Sequence, residues 1–167
     1  MDRESRAAQT LLKAWRGEIE ADAMYRIIAQ RERDPKRAGI LREMAQAESG
    51  HRVRLEARMT ELGITIPDAS TVRIPAWRRL QARLAPVGRL LASMEAAEST
   101  EIDDLYKTPT GDAGTDELLA SIRTDEQSHA QAIRGMTSSS GNGQRSHEET
   151  KLQRILGRER WHRGGSG

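Results

Sequence analysis

The sequence holds no cysteine and no phenylalanine, and its aromatic residues are only Trp 3 and Tyr 2 among 167 residues. Without cysteine there is no disulfide framework, no thiol nucleophile, no zinc–thiolate site and no iron–sulfur cluster. The shortage of aromatics and the lack of alternating β-branched runs remove the usual material of strands. No uninterrupted apolar run reaches the roughly 18 residues of a membrane span. The opening MDRESRAAQT has no apolar core of a secretory signal, so a cytosolic location is expected. An excess of one charge sign is missing too: Lys+Arg is 27 against Asp+Glu 25, a formal net charge of +2, and no nucleic-acid partner is expected. Charge is concentrated only at residues 144–163, where Arg145, Lys151, Arg154, Arg158, Arg160 and Arg163 outnumber Glu148, Glu149 and Glu159.

Ala, Leu, Arg and Glu dominate, and these are good helix formers. The pattern predicts an all-α fold of four long helices and two short ones. Helix 1 is expected over about Arg6–Arg33. Asp34 and Pro35 then supply an N-cap and a first-turn proline for helix 2, which runs to about Gly63. Residues 64–86 form a long connection with a short helix after Pro75. Helix 3 is expected over about Pro86–Tyr106, and helix 4, capped by Thr115, up to about Gly135. Residues 137–145 (TSSSGNGQR) read as a Ser/Gly linker. Ser146 and Glu149 form a capping box for a last amphipathic helix bearing Leu152, Ile155 and Leu156. Two short loops and one long crossover between helices 2 and 3 give the ferritin-like four-helix topology. The expected organisation is a bundle over 1–136, then a linker and basic helical tail over 137–167.

At 3,4 spacing each helix has an apolar stripe interrupted at mid-length by ionisable residues. Helix 1 gives Leu11, Trp15, Glu18, Asp22 and Tyr25. Helix 2 gives Leu41, Met44, Glu48, His51 and Leu55. Helix 3 gives Leu91, Met94, Glu98, Glu101 and Leu105. Helix 4 gives Leu119, Ile122, Glu126, His129, Ile133 and Met136. Unpaired carboxylates at that depth would each cost several kcal/mol. A pair of divalent cations turns the repulsion into ligation. Residues i and i+3 lie about 60° apart around a helix and about 4.5 Å along it, so Glu48/His51 and Glu126/His129 can each face one metal. Glu from two helices and Glu-x-x-His from the other two is the ligand pattern of dinuclear carboxylate bundles. The pattern also repeats: Glu18 precedes Glu48 by 30 residues and Glu98 precedes Glu126 by 28. Two helical hairpins related by a pseudo-twofold would place one metal in each half. Glu20 stands as an alternative to Glu18, and Glu95 as an alternative to Glu98. Asp22 is expected at the rim. His162 also follows a Glu by three, but it lies beyond the linker with no partner helix.

At these residues the chain resembles the rubrerythrin branch of the ferritin-like superfamily. The matching pieces are Glu18 with Tyr25 (EIEADAMY), Glu48-Ser-Gly-His51, Glu98 and Glu101 with Tyr106 (ESTEIDDLY), and Glu126-Gln-Ser-His129. The resemblance covers about residues 6–136. It implies Glu48 and Glu126 as bridging ligands, Glu18 and Glu98 as terminal ligands, and His51 and His129 as nitrogen ligands. It further implies Glu101 as a mobile extra ligand and Tyr25 and Tyr106 as residues bonding to ligand carboxylates, with Glu95 an alternative ligand. The implied cofactor is two Fe ions, for which Mn or Zn could substitute. The chain departs from a full rubrerythrin in having no Cys-x-x-Cys electron-transfer domain. Its ending, ILGRERWHRGGSG, resembles the junction in membrane-bound ferritins, where a ferritin-like domain precedes a vacuolar-iron-transporter-type membrane domain.

That resemblance implies a domain on the cytoplasmic face of a membrane, tethered to an iron transporter. There it would bind two irons, oxidise Fe(II), and sense or deliver iron for export. A rubrerythrin-type peroxide reductase with an external electron donor is the second expectation, and a non-enzymatic dimerisation module the third. A homodimer is expected, with the crossover helix bearing Trp77, Leu80 and Leu84 as a candidate interface or lid.

Overall fold

The computed structural model describes the backbone of residues 3–97 and 108–159, and side chains within 6–136 apart from 95 and 97–107. All regular structure among the described residues is helical: α1 Arg3–Arg31, α2 Pro35–Glu61, α3 Ala76–Leu84, α4 Val87–Ala97 and α5 Ala113–Glu159, with a 3-10 turn at Ala69–Thr71. Asp34 caps α2 as its sequence suggests, accepting hydrogen bonds from the backbone N–H groups of Lys36 and Arg37 ahead of Pro35. At the other end Gly63 takes φ +67, and the Ile64 N–H donates to the Met59 carbonyl. This left-handed turn closes the helix and starts the crossover. The crossover carries α3 over the outside of α1, where Arg31 donates to the carbonyls of Ala82 and Ala85.

Two expectations change at α5. The cap is Asp112, not Thr115. The Asp112 carboxylate accepts from the Thr115 backbone N–H at 2.9 Å and from its hydroxyl, leaving Thr115 three residues inside the helix. Asp116 reaches back to the Thr110 N–H at 2.8 Å, and Arg58 of α2 pairs with Asp112. The second change is at the C-terminal side. The backbone stays helical from Ala113 to Glu159, through the Ser/Gly stretch expected to be a linker and past the expected end at Gly135. Serine, asparagine and glycine cost a helix no more than about 1 kcal/mol each. No proline follows Pro109, so nothing removes a hydrogen bond from the ladder.

α1 packs along α2, α4 packs on α5, and contacts of α2 with α5 and of α1 with α4 close the bundle. Its interior divides into two apolar clusters. One holds Tyr25, Ile28, Leu41, Met44, Leu90, Leu91, Ile133 and Met136, with Met94 packed on it. The other holds Leu11, Trp15, Leu55, Met59, Leu119 and Ile122. On α1, α2 and α5 alike, the residues between the two sets are ionisable: Glu18, Glu48 with His51, and Glu126 with His129.

The Asp112 cap is directly testable. The Thr115 hydroxyl, the Arg58 guanidinium and the Thr115 N–H together hold its carboxyl down at about 2. Asp112→Ala should cost about 1–2 kcal/mol at neutral pH in urea denaturation. A carboxyl depressed by folding stabilises above its unfolded pKa and loses that contribution as pH falls through the folded value. The gap between wild type and variant should therefore narrow between roughly pH 4 and pH 2.

Candidate metal centre

Four buried side chains from three helices meet in the layer between the clusters. Glu18 (4% exposed), Glu48 (1%), His51 (3%) and Glu126 (5%) each offer one ligand atom, all within 4.8 Å of one another. His51 Nδ1 lies 3.6 Å from Glu18 Oε2, 3.5 Å from Glu48 Oε2 and 3.2 Å from Glu126 Oε1. A fifth residue, His129, extends the group. Its Nδ1 lies 3.3 Å from Glu48 Oε1 and 3.6 Å from Glu126 Oε2. Glu48 and Glu126 thus each turn one oxygen toward His51 and the other toward His129. The two rings are 6.0 Å apart between centroids.

Both oxygens of Glu48, Oε1 of Glu126 and Nδ1 of both histidines are buried without a hydrogen-bond partner. Buried polar atoms are nearly always satisfied, so five orphans converging on one layer need an explanation. A cation held among them would supply it: hard carboxylate oxygens with imidazole nitrogens suit divalent iron, manganese or zinc.

The electrostatics follow from this crowding. For Glu18, burial and the neighbouring charges of Glu48 and Glu126 outweigh attraction to His51 and push its carboxyl up to about 8. Burial also works against the Glu48 charge, but His129, His51 and Glu18 overcome it and hold the carboxyl down at about 2. Burial disfavours the charged histidines as well. Glu126, Glu18 and Glu48 nevertheless raise His51 to about 12, and Glu126 and Glu48 raise His129 to about 10.

The other expected site residues fall as follows. Glu20 turns away from the layer and pairs with Arg78 of α3 at 3.0 Å, which leaves Glu18 as the inward residue of α1. Asp22 pairs with Arg26 at 2.8 Å, away from the group. Tyr25 is fully buried in the cluster beside the layer. Glu98, Glu101 and Tyr106 lie outside the described residues, as does the side chain of Glu95.

Sequence reasoning missed Asp125. Its Oδ2 lies 3.1 Å from His51 Nε2, and Arg54 approaches the same oxygen at 3.4 Å. With Nε2–H donating to Asp125, the Nδ1 lone pair is left for the layer. The signal was present as the acidic residue directly before Glu126 in DEQSH. The corresponding position in the first half is Ala47, so the internal repeat does not mark it.

A rubrerythrin family model matches residues 9–137. The chain belongs to the rubrerythrin family. No curated protein and no solved structure gives a significant match. The matched span contains every residue of the buried layer and ends just after Met136.

Two outcomes are expected. Asp125→Asn should weaken metal binding by about 10–100-fold, read by competition with a chelating dye, without loss of helix content. Glu18→Gln should raise the melting temperature of chelator-treated protein. A carboxyl raised by folding to about 8 is a burden that grows as pH climbs from its ordinary value. The gain should therefore be larger at pH 8 than at pH 5, reaching about 2 °C or more.

Proposed function

We propose that the buried layer is a dinuclear iron centre. The observation that carries this is the convergence of orphaned carboxylate oxygens and imidazole Nδ1 atoms, with two glutamates each facing both histidines. In this reading Glu48 and Glu126, each facing both histidines, would be shared by the two ions, Glu18 would add a carboxylate on the His51 side, and His51 and His129 would offer Nδ1. Glu98 and Glu101, or Glu95, would complete the set, as the resemblance implies. Bound there, iron supplies redox chemistry between its ferrous and ferric states, with oxygen or peroxide as oxidant.

The chain's own residues prepare that chemistry in three ways. The apolar clusters above and below the layer keep bulk water from the carboxylates. Asp125 fixes the orientation of His51. The raised histidines must give up protons before they can ligate, so loading releases protons and affinity climbs with pH.

The biological task we propose is iron handling. The domain takes up two Fe(II) ions as substrate, oxidises them, and senses or delivers iron for export by a membrane iron transporter to which it is joined on the cytoplasmic side. The locally basic segment 144–163 supports a place next to an anionic membrane face. The second reading, a peroxide reductase supplied by a separate electron donor, is favoured by the family match itself.

An anaerobic Fe(II) titration decides the matter. It should reach two irons per chain with proton release. Admission of oxygen should then produce near-ultraviolet ferric absorption. Stoichiometry and absorption should both be lost in Glu48→Ala and in Glu126→Ala. One round of oxidation per iron load supports iron handling, and sustained peroxide turnover with a donor supports the reductase. Less than one iron per chain, unchanged by the substitutions, overturns the dinuclear reading.

A further inference from the structure

The crossover helix α3 is built inside out. Trp77, Leu80 and Leu84 are 65%, 57% and 71% exposed, and the only buried residue of the helix is Ala82. At about 100° per residue the three apolar side chains fall within about 60° of one another, and Ala82 lies about 170° from their centre. The apolar stripe therefore points straight away from the bundle. An exposed apolar ridge of this kind marks an interaction surface.

Its charge says what the surface meets. Residues 69–94 contain Arg73, Arg78, Arg79, Arg83 and Arg89 and no acidic residue. All five arginines are exposed. Arg78 is neutralised by Glu20, while Arg73, Arg79, Arg83 and Arg89 make no ion pair with any described residue. Beside α3 runs an open groove of about 730 Å³, floored by Ile19 and Ile27 of α1 and by Val72 and Ile74, with Arg73 and Arg79 along it.

We propose that α3 docks on an anionic lipid bilayer. Trp77, Leu80 and Leu84 enter the boundary between headgroups and acyl chains, and Arg73, Arg79, Arg83 and Arg89 bind the headgroup phosphates. A Trp/Leu face flanked by arginines, low in overall hydropathy, is the make-up of helices that lie in the membrane interface. Arginine stems can run along the apolar ridge and lift their guanidinium groups to the headgroup level. No described helix is long and apolar enough to cross a membrane, and α3 is of the kind that lies along one. A second copy of the chain fits less well. A twofold contact through this ridge would set arginine bands side by side with no carboxylate in 69–94 to offset them.

The test is co-sedimentation of the full chain with vesicles of phosphatidylcholine alone and of an equimolar phosphatidylcholine–phosphatidylglycerol mixture. The chain should partition to the mixed vesicles only, and less so at high salt. Each of Arg79→Gln and Arg83→Gln should lower partitioning about five-fold. The triple variant Trp77→Ser/Leu80→Ser/Leu84→Ser should lower it about ten-fold or more. The substituted side chains are exposed, so the triple variant should keep its helix content and its iron stoichiometry, which separates this proposal from the metal-centre reading. Lack of binding by the wild type overturns the proposal. So does undiminished binding by the triple variant, which would assign attachment to the basic segment 144–163. A lipid-free dimer abolished by the triple substitution would make a second copy the occupant and overturn it as well.

Discussion

Everything in this bundle is arranged around the cost of placing carboxylates at its centre. Three glutamates and two histidines occupy one layer, and the apolar residues above and below belong to separate clusters. Packing alone would have filled the layer with leucine, since burying charge without compensation costs several kcal/mol per group. The histidines offset part of that cost. His51 lies near the three carboxylates of the layer and Asp125 outside it, His129 near two, and both are driven toward the protonated form. The compensation is incomplete: Glu18 is pushed toward neutrality and five atoms stay without hydrogen bonds. A layer so far from its stability optimum is the usual mark of a site kept for binding.

The frame around the layer holds its geometry. α1 and α2 are joined by a tight Asp34-Pro35 turn, so the stripes of the two helices must align. α5 is set against α2 by a polar lattice on the solvent side. Arg58 meets Asp112 and Thr115 near the start of α5, and one turn of α2 away Arg54 meets Ser121 and Asp125. Asp125 belongs to both systems, bonded to Arg54 outside and to His51 inside. The register of α2 on α5 and the orientation of the His51 ring are therefore one constraint. A slip of one helix past the other would break the lattice and the site together.

Much of this was legible in the sequence because helical periodicity and metal ligation make the same demand. Glu48 with His51, and Glu126 with His129, share a face only if both segments are helical. Leucine, isoleucine and methionine at 3,4 spacing fixed that face before any contact was known. The inward choice of Glu18 over Glu20 was not fixed, because it depends on Arg78 from the crossover capturing Glu20. Asp125 was invisible because its role lies across the bundle, on a histidine of another helix. The cap of α5 was misplaced by three residues because TGDAGTD offers several capping side chains. The choice fell to the one that Arg58 could also reach. Local preference predicts a linker in the Ser/Gly stretch, yet those preferences are small and the helical ladder runs through it.

The crossover shows the converse limit of pattern reading. Among the described helices α3 has the most evident amphipathic pattern, and the ordinary inference would turn its Trp/Leu stripe into the core. The two described clusters are built from α1, α2, α4 and α5, and α3 meets the bundle through Ala82, the carbonyls held by Arg31 and the Arg78–Glu20 pair, not through its apolar stripe. An apolar stripe left outside a completed core remains a cost until something covers it. Of the arginines of α3, Arg78 is paired with Glu20, while Arg79 and Arg83 pair with no carboxylate among the described residues. The same sequence rule that finds buried faces thus finds, once the core is full, an exposed apolar face, and the unpaired arginines beside it set the charge that the proposed lipid surface would have to carry.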